Sequence, residues 1–213
     1  MTKNPSKSER LPIYSRPLPL SYYRHHDVLF LSRDLIGKFL MTFIDGVLTG
    51  GMIVETEAYR APEDRASHAF GGRRTHRNAV MYAEGGFCYV YRCYGIHNLF
   101  NIVTNEANIP HAILIRAIEP IVGIEAMLQR RGKDTLHRTL TAGPGSLTKA
   151  LGIQLIHNAQ PLTGPLIWLE DRGIKFKDDQ IIAKPRIGID YAGEDAKLLW
   201  RFYLKDSPWV SKH

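Results

Sequence analysis

Residues 52–59 read Met-Ile-Val-Glu-Thr-Glu-Ala-Tyr, a stretch typical of a β-strand and the one that most constrains the fold. Side chains alternate across a strand, so Glu55, Glu57 and Tyr59 are expected on one face and the intervening residues on the other. A rigid strand that holds a carboxylate beside an aromatic ring is suited to catalysis. Glutamates on a solvated strand face are also common, so the segment alone leaves a structural and a catalytic interpretation open.

The residues before this strand predict a helix followed by a β-hairpin. Asp27 is a suitable N-cap for a helix near Asp27–Leu35, whose leucines and phenylalanine form an apolar face. A strand is expected at Lys38–Ile44. Asp45-Gly46 then favours a tight hairpin turn, and the returning strand runs into residues 52–59.

The rest of the chain combines short strands, turns and two further helices. Residues 60–82 are rich in charge, glycine and histidine, and they are expected to form an ordered loop with a short helix. The predicted strands are Phe87–Tyr94, Asn98–Thr104, Ala112–Ala117, Leu166–Leu169, Arg186–Ile189 and Trp200–Leu204, and the predicted helices are Pro120–Arg131 and Ser146–Leu151. Because the strands cluster in hairpins instead of alternating with helices, the pattern predicts an α+β fold with an antiparallel sheet.

Length and charge limit the class of protein. A chain of 213 residues with 44% hydrophobic content suits one domain or at most two small ones, and residues 1–16 are expected to be a flexible arm before a single domain at 17–213. Lys and Arg number 28 against 21 Asp and Glu, so the net charge is +7. This surplus favours a polyanionic partner, of which nucleic acid is the first candidate. A protein can also be basic without such a partner, so charge alone does not separate the two interpretations.

Several features narrow the compartment and the chemistry. The N-terminal stretch MTKNPSKSERLP lacks the apolar segment of a signal peptide, and no long apolar run predicts a membrane span. Cys88 and Cys93 would lie on opposite strand faces, so neither a local disulfide nor a zinc ribbon is expected, and a reducing, cytoplasmic location is favoured. The chain also lacks a phosphate-binding loop, a dinucleotide fingerprint, a zinc-deaminase signature and a nucleophile elbow.

A histidine and an arginine outside the opening strand are candidates for chemistry. His68 lies in the 60–82 loop, where a histidine is more often solvated or packed than functional. Arg116 ends a strongly apolar strand and needs a partner if it is buried. Glu55 or Glu57 would provide that partner, and the pairing could be purely structural.

Basic and aromatic residues suggest contact with nucleic acid. The run 71–77 combines two glycines with three arginines, which suits phosphate contact but also describes an ordinary exposed loop. Tyr89 and Tyr91 share a strand face, where core packing is the common explanation and base stacking the functional one. Tyr94, next to a glycine at a turn, is hard to bury and could wedge between bases.

These residues lie in long segments that resemble the alkyladenine (3-methyladenine) DNA glycosylase family in its short, bacterial form. The similar segments are IVETEAY (53–59), PEDRASH (62–68), GGRRTHRN (71–78), YVYRCYGIHNLFNI (89–102), ILIRAIEP (113–120), AGPGSLTKAL (142–151) and RFYLKDSPWVS (201–211). They occur in the family's order and run through most of the chain after the N-terminal arm. The resemblance is therefore more specific than any single short motif.

The resemblance implies a fold and an activity. The implied fold is α+β, a single domain with a mainly antiparallel curved sheet or partly open barrel, peripheral helices and a protruding β-hairpin. The implied activity is that of a monofunctional glycosylase that flips a damaged purine from double-stranded DNA and hydrolyses its N-glycosidic bond. The expected lesions are 3-methyladenine, 7-methylguanine, hypoxanthine and ethenoadenine. A monomer is expected, with no metal, no organic cofactor and no membrane association.

The catalytic roles follow from the same resemblance. Glu57, and not Glu55, would activate the attacking water, Arg116 would help to hold that water, and Glu55 would be a supporting residue. Two other classes stay open from the residues themselves. One is a carbohydrate-directed hydrolase that uses Glu55 and Glu57 as an acid/base pair, and the other is a non-catalytic DNA-binding module.

The resemblance also implies residues that contact DNA. The residues implied to form the pocket of the flipped base are Tyr59, His68, Tyr91 and Asn101, the last of which would discourage undamaged guanine. Tyr94 would insert into the duplex. The residues expected at the DNA backbone are Arg73, Thr75, Arg77, Ile96 and His97. The last two replace a larger Met-Tyr pair of the mammalian members, so duplex insertion and lesion preference are expected to differ.

Overall fold

The computed structural model describes residues 17–211. Its α-helices are α1 (Leu20–Tyr23), α2 (Val28–Asp34), α3 (Ile124–Arg131) and α4 (Pro144–Leu151). Its strands are β1 (Phe39–Ile44), β2 (Val47–Arg60), β3 (Cys88–Cys93), β4 (His97–Thr104), β5 (His111–Val122), β6 (Ile167–Glu170), β7 (Ile181–Lys184) and β8 (Arg201–Leu204). Short 3-10 helices occupy Phe70–Gly72, Ala79–Tyr82, Arg138–Leu140, Leu155–His157, Asp178–Gln180 and Asp190–Lys197.

The first helix and hairpin form where the sequence predicts them. Asp27 caps α2, since its Oδ1 accepts hydrogen bonds from the backbone N–H of Leu29 at 2.9 Å and of Phe30 at 3.0 Å. Asp45 and Gly46 join β1 to β2 with φ angles of 55° and 73°. Two consecutive positive φ angles belong to the tight turn that matches the twist of a hairpin. These local predictions are therefore confirmed.

β2 is the central strand of an open antiparallel sheet. The sheet runs β3-β4-β5-β2-β1-β6, and β8 pairs with both β2 and β7. One edge of β2 pairs with β5, while the other edge pairs first with β1 and then, from Glu55 to Glu57, with β8. Glu57 consequently lies in the interior of the sheet, opposite Leu114 on one side and Arg201 on the other. The predicted α+β class is confirmed, and the sheet is open, not a closed barrel.

From Glu55 onward the two faces of β2 have different partners, as strand alternation predicts. A β-bulge between Ile53 and Glu55 breaks the alternation before that point, so Ile53 packs with Ala58 while Val54 packs in a separate cluster. On one face Thr56 donates its hydroxyl to the carbonyl of Ser32 on α2 at 2.7 Å. α2 and α4 pack on this face over buried apolar side chains that include Ile53 and Ile115. Each fully buried aliphatic side chain contributes roughly 1.5–3 kcal/mol of stability. The helices therefore fix the sheet from one side and leave the glutamate face to the other.

The predicted helix at Pro120–Arg131 begins later than expected. β5 continues to Val122, and α3 starts at Ile124 after Gly123, which has a φ of 70°. The strand extends because β5 approaches the glycines of β2 closely. A Cβ on Gly51 would meet the carbonyl oxygen of Glu119 at 2.0 Å, a contact that only glycine permits.

The predicted strand at Arg186–Ile189 is wrong. The strand in this region is β7, which ends at Lys184, and the residues after Pro185 form a loop. The backbone N–H of Ile187 donates to the carboxylate of Glu57 at 2.8 Å and is not used in a strand ladder. The alternating apolar residues of this loop therefore line a site and are not part of a strand.

Other predictions have mixed outcomes. Cys88 and Cys93 are both free, as expected. Within residues 17–211, none of the helices is both long and apolar enough to cross a membrane. The flexible arm predicted at residues 1–16 lies outside the described residues, so the division into an arm and a domain at 17–213 stays a prediction.

Candidate active site

A cleft of about 590 Å³ lies on the glutamate face of the sheet, beside the β3–β4 hairpin. It brings together every residue that the sequence assigns to catalysis or to the base pocket. These are Glu57, Tyr59, His68, Tyr91, Asn101 and Arg116. Of the other predicted DNA contacts, Arg77, Tyr94 and His97 also line the cleft. Residues from β2, β3, β4 and β5 thus converge on one cavity, which a linear sequence does not show.

Glu57 is buried, and three donors fix its carboxylate. Oε1 accepts the backbone N–H of Ile187 at 2.8 Å and lies 3.2 Å from a guanidinium nitrogen of Arg116. Oε2 accepts the hydroxyl of Tyr59 at 2.9 Å. Burial and the neighbouring Glu57 charge raise the pKa of Tyr59 well above its usual value, so its hydroxyl stays protonated and donates. The carboxylate is therefore held in a single orientation at the wall of the cleft.

Glu55 is also buried, but its oxygens are occupied by the protein and it does not line the cleft. Oε1 accepts from Arg116 Nε at 2.9 Å, from Arg201 at 3.0 Å and from the hydroxyl of Ser211 at 2.8 Å. Oε2 accepts the backbone N–H of Ser211 at 2.8 Å. Of the two glutamates, only Glu57 faces the cleft.

Arg116 links the two glutamates, so the pairing expected from sequence is present with both. Burial opposes its charge, but Glu57 and Glu55 outweigh that effect and raise the pKa of the guanidinium. Since Arg116 donates to Glu55 through Nε and lies against Glu57 through its terminal nitrogen, Glu55 orients the arginine that orients Glu57. The result is a buried charge network beneath the cleft.

Aromatic side chains form the opposite wall. His68 Nδ1 shares a hydrogen bond of 2.7 Å with the hydroxyl of Tyr89, and its ring meets Tyr91 edge-on with centroids 4.6 Å apart. Tyr89 and Tyr91 lie together on β3, with centroids 5.2 Å apart, as their alternation predicts. Burial, together with the charges of Arg77 and Arg73, lowers the pKa of His68 to about 4. The imidazole is thus neutral near pH 7.

Asn101 lies at the base of this wall. It is buried on β4, opposite Tyr89, and its amide nitrogen donates to the Tyr89 carbonyl at 3.0 Å. This hydrogen bond fixes the amide orientation. A fixed amide can discriminate between purines by the groups that it accepts or rejects.

Tyr94 lies at an exposed tip above a braced hairpin. Its side chain is 86% exposed, and that of Ile96 is 76% exposed. Below the tip, the ring of His97 packs so closely on α4 that a Cβ on Gly145 would lie 2.8 Å from it. The hydroxyl of Thr148 on α4 donates to the carbonyl of Asn98 at 2.6 Å. α4 therefore braces the base of the hairpin.

The basic loop, residues 71–77, is connected by hydrogen bonds to the wall of the cleft. Arg73 and Arg77 are exposed, and the guanidinium of Arg77 lies 5.0 Å from the ring centre of Tyr91. Thr75 donates its N–H and its hydroxyl to the side chain of Asn78, at 2.7 and 3.0 Å. The Asn78 amide in turn donates to the carbonyls of His68 and Arg73, both at 2.9 Å. The donors of Thr75 are therefore used inside the loop.

Sequence reasoning missed several residues that support the site. They are Asp64, Asn78, Arg186, Ile187, Arg201 and Ser211. One signal was present, because charged residues inside mostly apolar segments need buried partners. Which residues pair could not be known without the fold. Among residues 17–211, His, Cys, Asp and Glu side chains form no group of three that could hold a metal ion.

Comparison with known proteins gives matches over most of the chain. The model of the methylpurine-DNA glycosylase family matches residues 21–208. A protein described as a candidate 3-methyladenine DNA glycosylase in Chlamydia felis is 49% identical over 188 residues, which cover 88% of this chain and 95% of that protein. Proteins with the same description in Desulfitobacterium hafniense and Bacillus cereus are 43% and 42% identical, over 89% and 91% of this chain and 96% and 98% of their own lengths.

A cleft that sets one buried carboxylate among aromatic rings, together with these matches, defines a DNA glycosylase, an enzyme that hydrolyses N-glycosyl bonds in DNA repair. The chain belongs to the methylpurine-DNA glycosylase family.

Proposed function

We propose that this protein flips alkylated or deaminated purines from double-stranded DNA into the cleft and hydrolyses their N-glycosidic bond with a water activated by Glu57. The observation that carries the proposal is the position of Glu57, the only member of the glutamate pair that faces a cavity walled by tyrosines. Tyr59 would stack on one side of the purine ring, and Tyr91 and His68 would contact it from the opposite side. Extrusion is required because the C1′ atom of a stacked nucleotide is inaccessible.

The chemistry is balanced without a cofactor. The bond between C1′ and the purine nitrogen breaks, its electron pair leaves with the base, and positive charge develops on the sugar. A water oxygen then bonds to C1′ while Glu57 accepts the water proton. The Glu57 charge also stabilises the developing positive charge, and Arg116 helps to orient both carboxylate and water. A methylated purine that is cationic in DNA leaves as a neutral base, whereas a neutral purine such as hypoxanthine leaves as an anion and takes a proton from water.

The direct test is base release from four duplexes carrying 3-methyladenine, 7-methylguanine, hypoxanthine or ethenoadenine. Release of at least one free base, with an abasic strand that is not cut until alkali is added, is the expected result. Tight lesion binding without base release would indicate a non-catalytic DNA-binding module instead. A carbohydrate hydrolase with two acting carboxylates is disfavoured, because Glu55 is saturated by protein donors away from the cleft.

Replacement of Tyr94 by Ala is expected to impair base flipping while leaving the fold intact. The side chain is 86% exposed at the hairpin tip, so its loss removes a duplex wedge and not a packed core residue. The change in 2-aminopurine fluorescence next to the lesion, which reports unstacking, should fall several-fold. Leu155→Ala removes another exposed apolar side chain and serves as a matched control. An unchanged fluorescence signal in the Tyr94 variant would rule out the wedge role.

Binding to DNA is expected to weaken steeply with salt, and Arg73→Gln should reduce that dependence. Each phosphate contact contributes a slope of about −0.9 to the plot of log affinity against log salt, so loss of one contact should lower its magnitude by about 1. Arg33→Gln is the matched control, because Arg33 belongs to α2 on the other face of the sheet and pairs with Asp178. If the wild type, Arg73→Gln and Arg33→Gln have equal slopes, the basic loop does not contact the DNA backbone.

The proposal extends to the remaining predicted contacts and to the state of the protein. Arg77, Ile96 and His97 flank the cleft or the hairpin tip and are proposed to meet the DNA backbone. Thr75 is proposed to act there through the loop that it orders with Asn78. We further propose that the protein works as a monomer, in the cytoplasm on the bacterial chromosome, with residues 17–213 forming one glycosylase domain.

A further inference from the structure

Behind Tyr59 lies a buried ion pair that takes no part in the proposed reaction. The guanidinium of Arg186 lies 4.7 Å from the ring centre of Tyr59 and 5.0 Å from that of Trp200, so it is held between two aromatic rings. It donates two hydrogen bonds to Asp64, at 2.5 and 2.8 Å, and a third to the carbonyl of Ala58 at 2.9 Å. The side chains of Arg186 and Asp64 are both fully buried.

The ion pair lies on the rear of the ring that faces the cleft. Tyr59 lines the cleft, whereas Arg186 and Asp64 are not among its walls. The front of the ring is therefore available to a purine, and the rear is covered by a cation. Of the two charged groups, the guanidinium is the one in contact with the ring.

We propose that the Arg186–Asp64 pair sets how strongly Tyr59 prefers a cationic purine over a neutral one. The inference rests on the proposed function, because it requires the damaged base to stack on Tyr59. The face of an aromatic ring attracts cations through its negative potential. A guanidinium on the rear face makes the potential of the front face less negative and repels a cationic base there. The Asp64 carboxylate offsets part of this repulsion. A neutral base is nearly indifferent to both charges.

This arrangement distinguishes two classes of lesion that need different help. A 7-methylguanine in DNA is cationic and leaves readily, so a site with an unopposed ring potential would favour such bases strongly. Hypoxanthine is neutral and gains little from that potential. A cation behind Tyr59 reduces the difference in affinity between the classes, and the carboxylate adjusts how far it is reduced. Arg186 and Asp64 are thus specificity-determining residues that act through Tyr59.

Two variants should change specificity in opposite directions. Asp64→Asn removes the negative charge that pairs with the guanidinium, but it keeps a side-chain oxygen for the N–H of Ala66, which Asp64 accepts at 3.0 Å. It should lower the ratio of 7-methylguanine to hypoxanthine excision roughly three- to tenfold relative to the wild type. Arg186→Met combined with Asp64→Asn removes both charges and should raise the ratio by a similar factor. Single-turnover rate constants at subsaturating enzyme measure both substrates.

The opposite signs separate this role from a purely structural one. Disturbance of Ile187, which follows Arg186 and donates to Glu57, would slow both substrates and leave their ratio unchanged. Ratios that stay at the wild-type value, or that shift in the same direction in both variants, overturn the proposal. Arg186→Lys keeps the charge and should retain the wild-type ratio. If one of the two variants does not fold, as judged by its melting curve, the shift in the other decides the matter.

The wild-type enzyme separates failure of this inference from failure of the proposed function. If it releases none of the four bases of the direct test, the proposed function fails first and no ratio exists. If it releases another cationic or neutral base of that set in place of 7-methylguanine or hypoxanthine, the ratio is measured on that base. If it releases both and the variant ratios do not diverge, only the role of the ion pair is wrong.

Discussion

Replacement of Glu57 by Gln should lower base excision by about 10² to 10⁴-fold, the range that general-base catalysis contributes, and should leave lesion DNA bound. The amide cannot accept the proton of the attacking water. It nevertheless fits the same hydrogen bonds, since its oxygen can accept from Ile187 and Arg116 while its NH₂ group donates to the hydroxyl of Tyr59. Single-turnover excision and equilibrium binding on the same duplex measure the two effects separately.

The control for this variant is Glu106→Gln, which removes an exposed carboxylate outside the cleft walls. It should excise at the wild-type rate. Affinity for lesion DNA should be unchanged or higher in Glu57→Gln, because a negative charge near the DNA has been removed. Wild-type turnover by Glu57→Gln would eliminate it as the base. Loss of both excision and binding, with an altered melting curve, would show that its role is structural.

Sequence information accounts for the parts of the molecule that depend on neighbouring residues. The Asp27 cap and the Asp45-Gly46 turn follow from side chains and backbone angles within a few positions. Alternation along β2 correctly places Thr56 on the helix-covered face and the glutamates on the other. Alternation alone does not distinguish Glu55 from Glu57, because both side chains point to the same face of the sheet.

The choice between the glutamates depends on residues far away in the chain. Ile187 and Glu57 are 130 positions apart, and Glu55 and Ser211 are 156 positions apart. They meet because β8 pairs with β2 and β7 pairs with β8. For the same reason the apolar pattern of 186–189 predicts a strand that does not form, since nothing nearby in the sequence indicates that the N–H of Ile187 donates to Glu57. Long-range pairing therefore determines which residues support the site. The cleft residues themselves are identified by the resemblance to a family.

The stability of the site should depend on Glu55 more than on Glu57. Substitution of Glu55 by Gln is expected to destabilise the fold by about 3–5 kcal/mol, as the loss of one partner from a buried charge network does. Gln keeps an oxygen for Arg116 and Arg201, but its NH₂ group would then face the backbone N–H of Ser211, so two donors oppose each other. The two buried arginines also lose a shared negative charge.

Thermal and urea unfolding measure this effect, with Glu57→Gln as the matched variant. For a domain of this size each kcal/mol lowers the melting temperature by roughly 2–4 °C, so Glu55→Gln should melt well below the wild type and Glu57→Gln close to it. Ser211→Ala removes a hydroxyl that donates to Glu55 and accepts from Arg116, and it should lose about 1 kcal/mol. If Glu55→Gln melts with the wild type yet loses excision as completely as Glu57→Gln, Glu55 takes part in the chemistry directly. The expected order, with Glu55 governing stability and Glu57 governing turnover, follows from the donors that surround each carboxylate.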